Sequence, residues 1–160
     1  MKKLWILSCL AVPLLVATAQ EAPPAGFEHW TTASLKEHIQ ALNQEAAGEP
    51  HQFAVHLLAD FPNDAFLLVH RGADGPPEWH ETQADVFFVQ SGTATLVLGG
   101  KLINGETVAP HEKRNGTIEG GVRHKLSPGD VVRIPPRVPH QLLLDGGHEF
   151  DYFVVKVKGY

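Results

Sequence analysis

Between Gly72 and Gly92 the chain carries Glu78, His80 and Asp85 at spacings suited to gripping one metal ion. A second segment, Gly129 to His140, brings another imidazole to the start of an apolar run, far enough along the chain to return from a different strand. Two imidazoles with one or two carboxylates suit iron(II), manganese(II), nickel(II) or zinc, whereas copper(I) sites and iron–sulfur clusters ask for thiolates. Side chains alternate along an extended strand, so Glu78 and His80 point the same way. A turn through Glu81, Thr82, Gln83 and Ala84 returns Asp85 beside them, with Phe87 and Val89 continuing inward as apolar packing. His140, Leu142 and Leu144 share a face in the same manner. His80, Asp85 and His140 then make a two-histidine, one-carboxylate facial set, with Glu78 as a fourth ligand or a nearby base. Open positions remain for water, dioxygen or a chelating substrate. Asp85 has a short reach, so either its backbone lies close to the ion or a water bridges the gap. A divalent cation would neutralise the carboxylates and hold the imidazoles neutral; without one, the same groups form a polar pocket or a purely structural cluster.

Other polar residues fall into place around this set. His70 and Arg71 end the preceding strand, and one of them should face the cavity, where it could bind a substrate carboxylate. His51, His56, His111, His124 and His148 lack a partner at ligand spacing and read as surface or hydrogen-bonded histidines. Trp79 should face away from Glu78 and His80, packing on the helix or on a partner subunit. Tyr152 and Phe153 read as core. A phosphate-binding glycine loop, a nucleophile elbow and a Cys-His pair are all missing from the sequence, which argues against nucleotide hydrolysis and covalent acyl transfer.

The elements that must position these groups are short strands. Phe53 to Leu58, Phe66 to His70, Val86 to Val89, Thr93 to Leu98, Val131 to Ile134, Gln141 to Leu144 and Phe150 to Val157 are β-branched or aromatic runs divided by Gly, Pro, Asn and Asp. Turn signals at Ser91-Gly92, Gly99-Gly100 and Gly146-Gly147 favour antiparallel hairpins, which a double-sheet jelly roll packs face to face. Ile103 to Gly121 reads as a loop or an extra hairpin that either covers part of the mouth or is a solvated excursion. One helix precedes the strands: Thr31 caps it, Leu35, Ile39, Leu42 and Ala46 form its stripe, and Gly48 and Pro50 end it. A start three residues later, with Ser34 as cap and Glu37 closing the box, is the alternative. The helix should pack on the outside of the sheet.

At 160 residues the chain supports one domain with a real core. Lys2 and Lys3, the apolar run Leu4 to Val16 and the small-x-small Ala17-Thr18-Ala19 read as a signal peptide over residues 1–19, cleaved before Gln20. That run is too short, and too interrupted by Pro13, for the roughly 18 to 20 apolar residues of a spanning helix. Residues 20–50 are then an N-terminal extension and helix, and residues 51–160 the β-barrel domain. The expected location is periplasmic or secreted, with no membrane contact after cleavage. Losing two lysines leaves 11 basic against 18 acidic side chains, net −7, a surface that excludes nucleic acid as a partner. The sole cysteine, Cys9, lies in the removed segment, so no disulfide staples the mature chain.

The order Gly72-x5-Glu78-x-His80-x4-Asp85-x6-Gly92, followed by Gly129-x5-Pro135-x-Arg137-x2-His140, resembles the two motifs of the cupin superfamily. In cupins the first motif reads glycine, five residues, His-x-His, three or four residues, glutamate, six residues, glycine. The second reads glycine, five residues, Pro-x-Gly, two residues, histidine. Here Glu78 stands where the first histidine is expected, Asp85 where the glutamate is expected, and Arg137 where the glycine is expected. The resemblance covers about residues 66 to 157. It implies an all-β, double-stranded β-helix (jelly-roll) barrel and a divalent metal cofactor at its mouth on His80, Asp85, His140 and Glu78. It also implies candidate metal-dependent chemistry of the dioxygenase, isomerase or lyase type on a small polar molecule, as in an oxidoreductase or isomerase in which Glu78 or a group just behind the ligands moves a proton. Cupins commonly pair, so a homodimer is expected. A non-catalytic module that captures a small ligand or a metal is the competing reading, and a structural subunit the third.

Overall fold

Thr31 starts the helix. In the computed structural model, which describes residues 21–144 and 148–160, Thr31 is extended and its hydroxyl accepts the Ser34 N–H at 3.1 Å. Helix α1 (Thr32–Ala47) follows, and the Thr31 carbonyl already accepts the Leu35 N–H, so the later start at Ser34 is excluded. Leu42 and Ala46 are buried, and with Leu35 and Ile39 they pack on Ala54, Leu58, Leu68 and Phe153 of a sheet's outer face. The expected signal segment 1–19 and the turn at Gly146-Gly147 lie outside the described residues. Among the described residues no helix is long and apolar enough to cross a membrane.

Thirteen strands follow among the described residues: β1 (Phe53–Asp60), β2 (Asp64–Arg71), β3 (Glu78–His80), β4 (Gln83–Ser91), β5 (Ala94–Leu98), β6 (Lys101–Ile103), β7 (Glu106–Ala109), β8 (Glu112–Arg114), β9 (Thr117–Glu119), β10 (Val122–Leu126), β11 (Val131–Ile134), β12 (His140–Leu144) and β13 (Phe150–Lys158). They form a five-stranded sheet, β1-β2-β13-β4-β11, and a six-stranded sheet, β10-β5-β12-β3-β8-β7, with a small β6-β9 ribbon beside them. The pairings are antiparallel, and the architecture is the expected double-stranded β-helix with one N-terminal helix.

Alternation fills the space between the sheets. Val69, Phe87, Val89, Leu96, Leu126, Ile134, Leu142, Phe150, Tyr152 and Val154 make one buried core. The stretch after Gly100 is two nested hairpins, β6 with β9 and β7 with β8, and β8 pairs with β3 so that Glu78 opposes Arg114 and His80 opposes Glu112. A three-residue strand such as β3 depends on neighbours for its backbone hydrogen bonds, and β8 supplies one of them. Gly92, the last residue of the first motif, sits at φ +74°, where a Cβ would collide with the Glu149 carbonyl oxygen; only glycine fits there.

Candidate metal centre

Three strands aim four side chains at one spot. Glu78 and His80 are two apart on β3 and share its inward face, Asp85 shares parity with buried Phe87 on β4, and His140 opens β12 directly opposite Glu78. His80, Asp85 and His140 are each at most 4% exposed. His140 Nδ1 lies 3.1 Å from the Val138 carbonyl oxygen, which can only accept, so Nδ1 carries the proton and Nε2 offers its lone pair inward.

The donor atoms stand at the separations of ligands. His80 Nε2 lies 3.7 Å from Glu78 Oε2 and 3.4 Å from Asp85 Oδ2, and His140 Nε2 lies 3.7 Å from the same Asp85 oxygen. Glu78, His80 and His140 present ligand atoms all within 4.8 Å of one another. Atoms bound at about 2.1 Å to one ion stand roughly 3 to 4 Å apart, so Glu78, His80 and His140 are near the spacing of one shared ion, while Asp85, held by Lys156, stands beside that group rather than in it. The Nδ1 of His80 lies 4.0 Å from Glu112 Oε1, beyond hydrogen-bond reach, and that oxygen accepts from Arg114 Nε instead.

Cations surround the acids. Arg71 Nη2 donates to Glu78 Oε1 at 3.1 Å while its Nε donates to the Tyr152 hydroxyl at 3.0 Å. Arg114 Nη2 stands 3.4 Å from Glu78 Oε2 and its Nε donates to Glu112. Lys156 Nζ donates to both oxygens of Asp85, at 2.9 and 3.1 Å. Burial opposes ionisation of Glu78, yet Arg114, His140 and Arg71 outweigh it and hold the carboxyl below its ordinary range. Burial likewise opposes ionisation of Asp85, but the hydrogen bond with His80 and the charge of Lys156 hold it well below the carboxylate range. Both are therefore carboxylates at neutral pH, and Glu78 is a weak base. Burial lowers His140 below the usual imidazole value, against the pull of Glu78 and Asp85, which keeps its ring neutral and able to ligate.

No family model matches the sequence, and no curated protein matches it either. Solved structures do. A conserved protein with a double-stranded β-helix domain from Klebsiella pneumoniae superposes with a TM-score of 0.58 at 14% identity, over 88% of this chain and 93% of that one. The Cnp3 cupin domain of Schizosaccharomyces pombe gives 0.51 at 11% identity, over 67% of this chain and 65% of its own length. The chain has the cupin fold. TT1209 from Thermus thermophilus also resembles it, with a TM-score of 0.50 at 15% identity, over 69% of this chain and 87% of that one.

Within this cupin barrel the sequence-predicted residues divide. Glu78, His80, Asp85 and His140 come together, although residues 85 and 140 are far apart in the chain. Arg71 faces the interior, but His70 does not: alternation along β2 turns it to the opposite face with Leu68, where its Nδ1 bonds Asp151 at 2.8 Å and Ser91 donates to the same carboxylate. Trp79 faces outward as expected but not onto the helix, which lies on the other sheet; Lys113 Nζ sits 5.4 Å from its ring centre instead. His56 and His111 pair with Glu45 and Glu81. Sequence reasoning missed Glu112 and Arg114, which lie in a polar stretch without strand periodicity. It also missed Lys156, whose parity with Tyr152 and Val154 was a readable sign that it points inward.

Proposed function

We propose that this chain is a metal-binding protein of the cupin fold, with one divalent ion held by Glu78, His80 and His140 and with Asp85 as a fourth donor. The observation that carries the reading is the convergence of Glu78, His80 and His140, whose ligand atoms all lie within 4.8 Å of one another, with Asp85 3.4 and 3.7 Å from the two imidazoles. Nitrogen and oxygen donors suit iron(II), manganese(II), nickel(II) or zinc. When bound, such an ion supplies Lewis acidity toward a chelated oxygen or a water.

A cavity lies beside the arginines that hold Glu78, and none of the four donors lines it. Arg71 and Arg114 fix the Glu78 carboxylate and also line this cavity of about 390 Å³ with His51, Phe53, Asp74 and Asn115. Two guanidinium groups beside a cavity of that size suit a small carboxylate-bearing molecule, oriented by charge-assisted hydrogen bonds. Because Glu78 is a weak base, ligation is its better role, and a proton would be moved by a group on the substrate side or by water. Dioxygenase, isomerase and lyase chemistry all remain within reach of such a centre, since the cupin scaffold hosts many reactions. Export to the periplasm or beyond follows from the N-terminal segment, and a mature protein beginning at Gln20 would support it. On edge strand β1, Val55 and Leu57 stay 41% and 60% exposed, an apolar edge that a second copy would cover.

The test is metal analysis of protein purified without an affinity tag. About one equivalent after reconstitution, lost in His80→Ala and His140→Ala, supports the reading; under about a tenth of an equivalent defeats it. A metal-free binding module is the second reading, favoured by one observation: the Lys156 ammonium already neutralises Asp85. Metal without turnover of any carboxylate substrate, and without dioxygen uptake, would leave a binding module of the loaded form.

A further inference from the structure

Lys156 has no place in the ligand set, yet it is built into the centre. It sits on the inward face of β13, in register with Asp85 on β4, and its side chain is only 20% exposed. Its Nζ caps both Asp85 oxygens and stands 3.4 Å from His80 Nε2. That position lies between two of the four proposed donors. The ion-paired groups of the centre also balance without a metal: Arg71, Arg114 and Lys156 face Glu78, Glu112 and Asp85. A divalent cation therefore enters a cluster whose charge is already closed, and it meets a like charge at close range.

Resting on the metal-binding reading above, we infer that Lys156 is a resident counter-ion that competes with the metal for Asp85. Metal entry displaces the ammonium from the carboxylate, and metal loss lets it return. The centre is thereby stable in both states, and the metal is exchangeable rather than locked in. Lys156 is a specificity-setting residue for occupancy, because any ion that binds must outcompete an ammonium already seated on a ligand.

The experiment compares metal-stripped wild type, Lys156→Met and Lys156→Gln, titrated with cobalt(II) against a chelator of known affinity. Lys158→Met is the control, since Lys158 pairs with the exposed Asp60 and with none of the four donors. The expected result is cobalt affinity at least about tenfold tighter in both Lys156 variants and unchanged in the control. The Gln variant retains a hydrogen-bond donor to Asp85, which guards against a Met variant that folds poorly. In wild type, cobalt loading should also raise the rate at which an acylating reagent labels Lys156, read by mass spectrometry. Equal or weaker affinity in both variants, or a labelling rate unmoved by cobalt, overturns the inference. Binding by the variants with none by wild type supports the competition and removes the metal from the native protein. Cobalt bound by neither variants nor wild type overturns the metal centre itself and this inference with it.

Discussion

Arg71 donates from Nη2 to Glu78 at 3.1 Å, and the pair is largely shut off from solvent, with side chains 6% and 14% exposed. The guanidinium also donates to Tyr152, whose hydroxyl burial keeps protonated by pushing its pKa up. Replacing Arg71 with Met strips a buried carboxylate of one cation while Arg114 remains. Breaking such a pair costs about 3 to 5 kcal/mol where no second partner exists, so the loss here should be about 2 to 3 kcal/mol. Urea denaturation of the metal-free protein measures it. Arg71→Lys should recover little, because a single ammonium cannot serve Glu78 and Tyr152 as the planar fork does.

Metal-free protein should become less stable as pH falls. Glu78, Asp85 and His140 all have folded-state pKa values below their ordinary values of 4.5, 3.8 and 6.5. The unfolded chain therefore binds more protons at each site. Stability from His140 is complete above 6.5 and declines below it; stability from the two carboxylates is complete above about 5 and declines as they approach protonation. Melting temperature followed from pH 8 to pH 4 checks the sign. His140→Gln should flatten the upper part of the curve, and a melting temperature that rises on acidification would contradict the charge arrangement.

Much of this centre was written in the spacing of residues. Glu78 and His80 share a face by strand parity, and Phe87 and Val89 mark Asp85 as inward, so local alternation was enough to place three groups. The helix was legible from Thr31 and the Leu35, Ile39, Leu42 stripe because capping and periodicity are local too. What could not be read is pairing over distance. Glu112 and Arg114 reach the centre only because β8 lies beside β3, and nothing in the polar run from Lys101 to Glu119 announces that partner. His70 shows the same limit at the smallest scale: choosing between neighbours needed the register of β2 against β13, which fixes Arg71 inward and His70 outward.

Scaffold and centre should separate by mutation. Leu42 is fully buried between α1 and the five-stranded sheet, so Leu42→Ala should cost about 3 kcal/mol. The helix covers the outer face and contributes no donor atom, so metal stoichiometry should stay that of wild type in the folded fraction. Loss of metal in a folded Leu42→Ala protein would tie the helix to the centre.

Arg137 occupies φ +64°, a left-handed conformation that costs a residue with a Cβ about 1 kcal/mol. Its N–H donates to the His80 carbonyl at 2.7 Å, so the strained turn also braces β3. Arg137→Gly keeps that N–H and relieves the strain. Thermal unfolding should show a stabilisation of up to about 1 kcal/mol with the metal site intact. A destabilised variant would mean that the exposed guanidinium contributes more than the backbone loses.

The most direct measurement is a crystal structure of the metal-soaked protein with anomalous scattering. A single peak is expected about 2.0 to 2.3 Å from His80 Nε2, His140 Nε2 and a Glu78 oxygen, with Asp85 freed from Lys156 and turned toward the ion. A peak elsewhere, or no peak while Lys156 still caps Asp85, would contradict the metal centre.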